Sequence, residues 1–499
     1  MMHEQETEEC ATELEKMTMT AKSEGYRNAL VLLLLALISV SAQTQPSGLT
    51  GRVLVAVQNP SGTKSTDGSI AIAPQFSMQI VSATTDSSES SGSPGWFSGW
   101  NGAMPSSIQN LPAEHVGAVY REDGTLSLLS YSTEAVTTTL PALSGPSSAI
   151  LLSHDQRYVV AANQQAGDLT IIDRNSGNTI VTLNLPGAYG VSINNGSSVF
   201  LAFAQDSDAV YYLRRLSPAD STAYANHNWP ANAADCEPLN LPTYCMLEVN
   251  SGTSGASTYS QQNFDHPFKA LFSADGASVY ILNGGPGSPT SSSNTAGITV
   301  LPVAPLLFAD GTQSGAIPPA PGRITIQGMV STGIVSGSTV YLAGQSKTAN
   351  GPWGGELSIV NMSTSAVTPV SIADGLATRM IMADDNTLWI GSMRCNTGYR
   401  ALNNLSDGCL TVVNISSNSP WVEAFAHSTT ASWLSGGDVT GFAAILGLHK
   451  VYYVENGQVY IRNTVYPYNL MNNANVATIG TAVDVAFIDT TNDGDNTIY

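Results

Sequence analysis

One unit recurs along this chain: a tight polar turn, an apolar run, a short connection and a second apolar run. The cleanest copy is "SHDQRYVVAANQQAGDLTIID", Ser153–Asp173. The turn and first run recur as "INNGSSVFLAF" (193–203), "SADGASVYILN" (273–283), "SGSTVYLAG" (336–344), "ADDNTLWIGS" (383–392), "LGLHKVYYVEN" (446–456) and "NDGDNTIY" (492–499). Asp, Asn and Gly in the turns tolerate positive φ and close hairpins cheaply. The runs are rich in Val, Tyr and Ile, which suit a buried strand.

Short apolar runs precede several of the turns: "SAILL" at 148, "YGVSI" at 189, "KALF" at 269, "TRMIM" at 378 and "VDVAFI" at 483. A further strand follows each copy, as in "GDLTIID" (167–173), "AVYYLRR" (209–215), "AGITVLPV" (296–303), "GELSIVN" (355–361), "GCLTVVN" (408–414) and "GQVYIRN" (457–463). An earlier unit joins "VGAVY" (116–120) to "DGTLSLLS" (123–130). From Tyr158 to Phe200 the period is about forty residues, the size of a four-stranded propeller blade.

The expected fold is therefore all-β: a β-propeller of four-stranded antiparallel blades. The half-built last unit is to be finished by N-terminal strands at 52–57 and 67–74, which closes the ring and hides its edges. If 52–130 forms only that closing blade, the count is seven, the favoured number. If 116–140 is a blade of its own, the count is eight. A pair of β-sandwiches is the alternative, but it has no fixed turn–strand–strand grammar.

The pattern resembles the YVTN-type (YVTN/lactonase-like) β-propeller repeats of exported bacterial proteins. "DQRYVVAANQQAGDLTIIDRNSGNTI" is the copy nearest that motif, and the resemblance covers most of 116–499. It implies architecture far more than activity, because such folds host many functions.

Residues 1–42 read as a leader and signal peptide. "ALVLLLLALISV" (Ala29–Val40) is preceded by Lys22 and Arg27 and followed by small residues ending at Ala42. An uncleaved signal anchor is the runner-up, although a twelve-residue run is short for a bilayer span, which takes about twenty. Residues 43–499 then form one propeller domain, with inserted loops at about 85–115, 217–265, 283–296 and 393–407. The expected location is exported: periplasmic, cell surface or secreted. In that setting Cys236/Cys245 and Cys395/Cys409 read as two disulfides, since neither pair has metal-ligand spacing.

The net charge of −20 argues against nucleic acid, which needs a basic footprint, and against an anionic membrane surface. No HExxH, GxSxG, Walker or dinucleotide pattern occurs, and no catalytic residue or cofactor is assigned. His154 and Asp155 read as turn residues. Asp489, Asp493 and Asp495 partly mimic a calcium loop but fall in the repeat's ordinary turn. Trp96 and Trp100 read as packing residues. Asp265 and His266 precede a first strand, and His227 and Trp229 lie in the largest insertion; these four are the candidate ligand contacts.

In antiparallel blades the second–third and fourth–first connections share one end of the sheets. Long connections there are the usual place for binding. The expected function is a non-catalytic binding or interaction scaffold with a protein or glycan partner. The alternative is a propeller enzyme, either a lactonase-like hydrolase or a quinoprotein/amine-dehydrogenase-like subunit. The discriminator is whether acidic or His side chains from different first strands meet in the channel.

Overall fold

A computed structural model describes strands and tight turns within residues 52–488; the longest connections between strands, and residues 1–51 and 489–499, lie outside the described residues. The chain divides into Met1–Leu49 and Thr50–Tyr499, and everything described belongs to the second unit. Among the described residues there are eight antiparallel sheets, seven of four strands and one of three.

Sheet 1 runs in the order Thr481–Ile488, Arg52–Gln58, Phe76–Ser82, Ser87–Ser88. The other sheets are simple meanders in chain order. Sheet 2 holds Pro105–Asn110, Val116–Arg121, Leu126–Ser130 and Ala135–Leu140; sheet 3 holds Ala149–Leu152, Tyr158–Asn163, Asp168–Asp173 and Thr179–Asn184. Sheet 4 holds Ala188–Ile193, Val199–Ala204, Ala209–Arg215 and Tyr244–Glu248; sheet 5 holds Pro267–Phe272, Ser278–Asn283, Thr295–Pro302 and Ile324–Gln327. Sheet 6 holds Met329–Ser336, Thr339–Lys347, Trp353–Asn361 and Ala366–Ile372; sheet 7 holds Ala377–Ala383, Thr387–Ser392, Cys409–Asn414 and Trp421–Ala424. Sheet 8 holds Val439–Ile445, Lys450–Glu455 and Gln458–Asn463. Beyond it the chain turns back along the third strand, where Met471 N–H donates to Ile461 O at 2.8 Å.

Each sheet packs face to face on the next. Leu54 and Val119 share a cluster between sheets 1 and 2, and Val116 and Val159 between sheets 2 and 3. Val160 and Val191 join sheets 3 and 4, while Tyr189 meets Phe268 edge-on at 6.0 Å between sheets 4 and 5. Leu282 and Leu342, Leu357 and Ile390, then Val412 and Tyr453 continue the series. Sheet 8 packs in turn on sheet 1 through Tyr452 and Val53.

A sheet covered on both faces needs strands that are apolar throughout rather than alternating. The second strands show it: Val116–Arg121, Tyr158–Asn163, Thr387–Ser392 and Lys450–Glu455 are buried at every position. Fourth strands lie at the outer edge, and Ala366–Ile372 alternates between exposed and half-buried along most of its length.

The 116–130 unit forms a sheet of its own, separate from Arg52–Ser82. Its first strand, Pro105–Asn110, lies inside the stretch expected as an inserted loop at 85–115. The expected 217–265 insertion is likewise interrupted, by the strand Tyr244–Glu248. Tyr244–Glu248 pairs with Ala209–Arg215 as the fourth strand of sheet 4. The expected strand at 67–74 lies outside the described residues, as does 492–499. The place beside Thr481–Ile488 expected for 492–499 is taken by Arg52–Gln58. Trp100 packs in the core between sheets 1 and 2, with the Arg121 guanidinium 5.0 Å from its ring centroid; Trp96 lies outside the described residues.

Trp389 in sheet 7 is fully buried, and its indole N–H donates to Thr387 Oγ1 at 2.9 Å. Trp389→Ala is expected to cost about 3–5 kcal/mol, read as a lower denaturation midpoint for the described unit.

Candidate functional site

First strands carry a shared irregularity. In seven sheets the pairing of first and second strands slips by one residue near the start of the first strand. The extra residues are Ser106, Tyr189, Phe268, Ser331, Thr378, Thr440 and Val483. A bulge bends the strand and re-aims the side chain that follows. The residue after the bulge is Lys269 in sheet 5, Arg379 in sheet 7 and Asp484 in sheet 1.

Asp484 is buried. Its Oδ2 accepts from the Ile108 N–H of sheet 2 at 2.8 Å, and its Oδ1 from the Val485 N–H at 2.9 Å. Arg379 Nη2 lies 3.4 Å from Oδ2. On the first strand of sheet 8 stands Gly441, where a Cβ would collide with Asp484 Oδ1. One carboxylate thus touches groups from sheets 7, 8, 1 and 2. Burial pushes its pKa up; Arg379 and the two amides pull it back down. Burial first, then the Asp484 charge, also raises the Tyr131 phenol far above its usual range.

Lys269 Nζ donates to Gly333 O of sheet 6 at 2.9 Å. Burial, and then the Arg379 charge, bring its pKa down to about 8. Other first strands join in the same manner. Ile150 N–H donates to Gln109 Oε1 at 3.0 Å, Ala270 N–H to Ser192 Oγ at 3.0 Å, and Ser331 Oγ to Ala377 O at 2.6 Å.

A second cluster lies at the end of the sheets where the second–third connections emerge. Asp208 closes the short 3-10 turn of sheet 4, and Asp265 and His266 lead into sheet 5. His266 N–H donates to Asp208 Oδ1 at 2.7 Å, and its Nδ1 lies 2.8 Å from Asp265 Oδ1. Asp265 N–H donates to Asn283 Oδ1 at 3.1 Å, and Arg323 Nη2 stands 3.7 Å from Asp265 Oδ2. One ligand atom from each of Asp208, Asp265 and His266 falls within a 4.8 Å group, the donor set of a divalent cation. The His266 Nδ1 also lies 3.8 Å from Asp208 Oδ1, so this ring nitrogen faces both carboxylates.

The opposite end carries a comparable pair. His449 Nδ1 lies 2.7 Å from Asp385 Oδ2, while Asp384 Oδ2 accepts Gly447 N–H at 2.8 Å and His449 N–H at 3.0 Å. Asp208, through the His266 N–H, and Asp384 and Asp385, through Gly447 and His449, each fix a turn of one sheet to the next. Lys450 does the same between sheets 8 and 1, with Nζ 2.7 Å from Asp86 Oδ2; Tyr452 OH also donates to Asp86.

Of the expected contacts, Asp265 and His266 come together, joined by Asp208. His227, Trp229, Asp489, Asp493, Asp495, Cys236 and Cys395 lie outside the described residues. Cys245 lies in the strand Tyr244–Glu248. Cys409 is buried and disulfide-bonded. Sequence reasoning missed Lys269, Arg379, Asp484 and Asp208.

No family model matches the chain, and no curated protein matches it. Among solved structures, hydrazine synthase of Kuenenia stuttgartiensis is 11% identical with a TM-score of 0.44, covering 74% of this chain and 99% of its own. A putative 6-phosphogluconolactonase from Bacteroides fragilis is 11% identical with a TM-score of 0.43, covering 89% and 99%. The WD40 repeats of RRP9 are 10% identical with a TM-score of 0.39, covering 78% and 84%. These likenesses are distant.

Two outcomes test this geometry. Asp484→Ala leaves two amide N–H groups without their acceptor, at roughly 1–3 kcal/mol each. A loss of about 3 kcal/mol is therefore expected in chemical denaturation. Lys269 has a folded pKa of about 8, against 10.5 in the free side chain, so the unfolded chain binds more protons between those values. Its contribution to stability rises with pH across that window, and Lys269→Met flattens this part of the melting-temperature profile.

Proposed function

We propose that the eight sheets are the eight blades of a closed, YVTN-like propeller, and that the protein is an exported, non-catalytic binding scaffold. Sheet-on-sheet packing that returns from sheet 8 to sheet 1 supports closure, as does the pairing of Thr481–Ile488 with Arg52–Gln58. Export rests on the apolar run Ala29–Val40, and the disulfide-bonded Cys409 fits an oxidising compartment. Cys395 is its proposed partner, and Cys236–Cys245 is the second proposed bridge.

The observation that carries the scaffold reading is the use made of the first-strand polar groups. Asp484, Gln109, Ser192 and Ser331 bond backbone groups of neighbouring sheets, which makes them part of the frame. The partner, a protein or glycan, is met at the end where second–third and fourth–first connections emerge.

A metal-dependent, lactonase-like hydrolase is the second reading, favoured by one observation: the Asp208–Asp265–His266 donor set. Metal analysis of the purified protein, with a lactone-hydrolysis screen, separates the two. The scaffold reading expects no stoichiometric metal and no turnover. Turnover that disappears in His266→Ala overturns it.

A further inference from the structure

We propose that Asp208, Asp265 and His266 form an exchangeable site for a divalent transition-metal ion of the zinc class, which clamps sheet 4 to sheet 5. The proposal rests on the donor set of the second functional reading and names its metal and its role; it needs no turnover.

The His266 Nδ1 lies 2.8 Å from Asp265 Oδ1 and 3.8 Å from Asp208 Oδ1. A tetrahedral zinc ion with nitrogen and oxygen ligands at about 2.0–2.1 Å holds neighbouring ligand atoms about 3.3 Å apart. The two separations lie on either side of that value, so shifts of about half an ångström admit the ion. A proton on Nδ1 reaches Asp265 alone, because 3.8 Å is too long for a hydrogen bond. A divalent ion answers both carboxylates and the ring nitrogen at once. Outer contacts already orient the ligands: Asn283 Oδ1 accepts the Asp265 N–H at 3.1 Å, and Arg323 Nη2 stands 3.7 Å from Asp265 Oδ2, the second oxygen of that carboxylate.

The joint between sheets 7 and 8 shows that an Asp–His contact alone does not make such a set. There Thr464 Oγ1 also donates to Asp385 Oδ2 at 2.6 Å, and Asp384 Oδ2 takes two backbone N–H groups. Among the described residues, only Asp208, Asp265 and His266 bring three ligand atoms within 4.8 Å of one another. An imidazole nitrogen with two carboxylates suits zinc and its transition-metal neighbours, whereas calcium takes about six to eight oxygens. The side chains of Asp208, His266 and Asp265 are 39%, 34% and 27% exposed, so the ion exchanges with solvent. Protein prepared without added metal is therefore expected to carry no stoichiometric ion, as in the scaffold reading.

The test is isothermal titration calorimetry on the full chain, stripped with a chelator and desalted, at pH 7 and constant ionic strength. Zinc chloride is the titrant in one arm and calcium chloride in the other. One zinc ion per chain should bind saturably and raise the melting temperature, with calcium at least about tenfold weaker. Asp208→Asn and His266→Asn should each weaken zinc binding at least about tenfold. Asn tolerates the positive φ of 51° and 53° at these positions, and metal-free melting temperatures check that both variants fold. His449→Asn, at the other joint, should leave zinc binding unchanged. No saturable zinc binding overturns the proposal, as does zinc binding that neither substitution weakens, or calcium bound as tightly. A lactone-hydrolysis screen of the zinc-loaded protein separates the two ideas: zinc binding without turnover upholds the clamp and removes the hydrolase reading.

Discussion

Asp484 sits on the last described strand of the chain, yet it bonds an amide of sheet 2 and faces a guanidinium of sheet 7. A buried carboxylate is tolerated only when hydrogen bonds and opposite charge replace the water it has lost. Here two backbone N–H groups and Arg379 supply them. The arrangement needs a glycine at 441, because any side chain there would occupy the space of the carboxylate. The strand that carries Asp484 also pairs with Arg52–Gln58, joining the first and last described strands in one sheet. In the closed-ring reading this is the joint that removes the remaining open sheet edge.

The bulges explain why such joints recur. A regular first strand would alternate its side chains between the two neighbouring sheets. One extra residue near the start re-aims the position after it, and the repeat then uses that position in three ways. Glycine at 190 and 441 lets the neighbouring strand approach; Ser107 and Thr332 are short and polar; Lys269, Arg379 and Asp484 reach across to other sheets. One local irregularity thus sets both how the sheets join and where charge gathers.

Much of this was legible in the sequence. Second and third strands stood out because they are buried on both faces and read as apolar runs after Asx–Gly turns. The Asn that ends the second strand also has a cause: Asn283 Oδ1 accepts the Asp265 N–H, and Asn163 Oδ1 the Ala166 N–H. Fourth strands such as "AVTPVSI" (366–372) and "ITIQ" (324–327) were missed because an outer, half-exposed strand carries no apolar run. Lys269, Arg379 and Asp484 left a signal that alignment of first strands would have shown. "KALF", "RMIM" and "DVAF" each put one charge before three apolar residues. Asp208 left none, since its meeting with His266 is set by how sheet 4 packs on sheet 5.

Native-state hydrogen exchange on the full chain, with and without Asp484→Asn, tests the central claim most directly. The Ile108 and Val485 amides and those of Arg52–Gln58 should be as protected as Tyr158–Asn163 in the unsubstituted protein. All three should exchange faster in Asp484→Asn, while sheets 3 to 6 keep their protection. If the sheet 1 amides exchange as readily as the exposed strand Ala366–Ile372, or if the substitution leaves Ile108 and Val485 unchanged, Asp484 is not the joint between sheets 1 and 2.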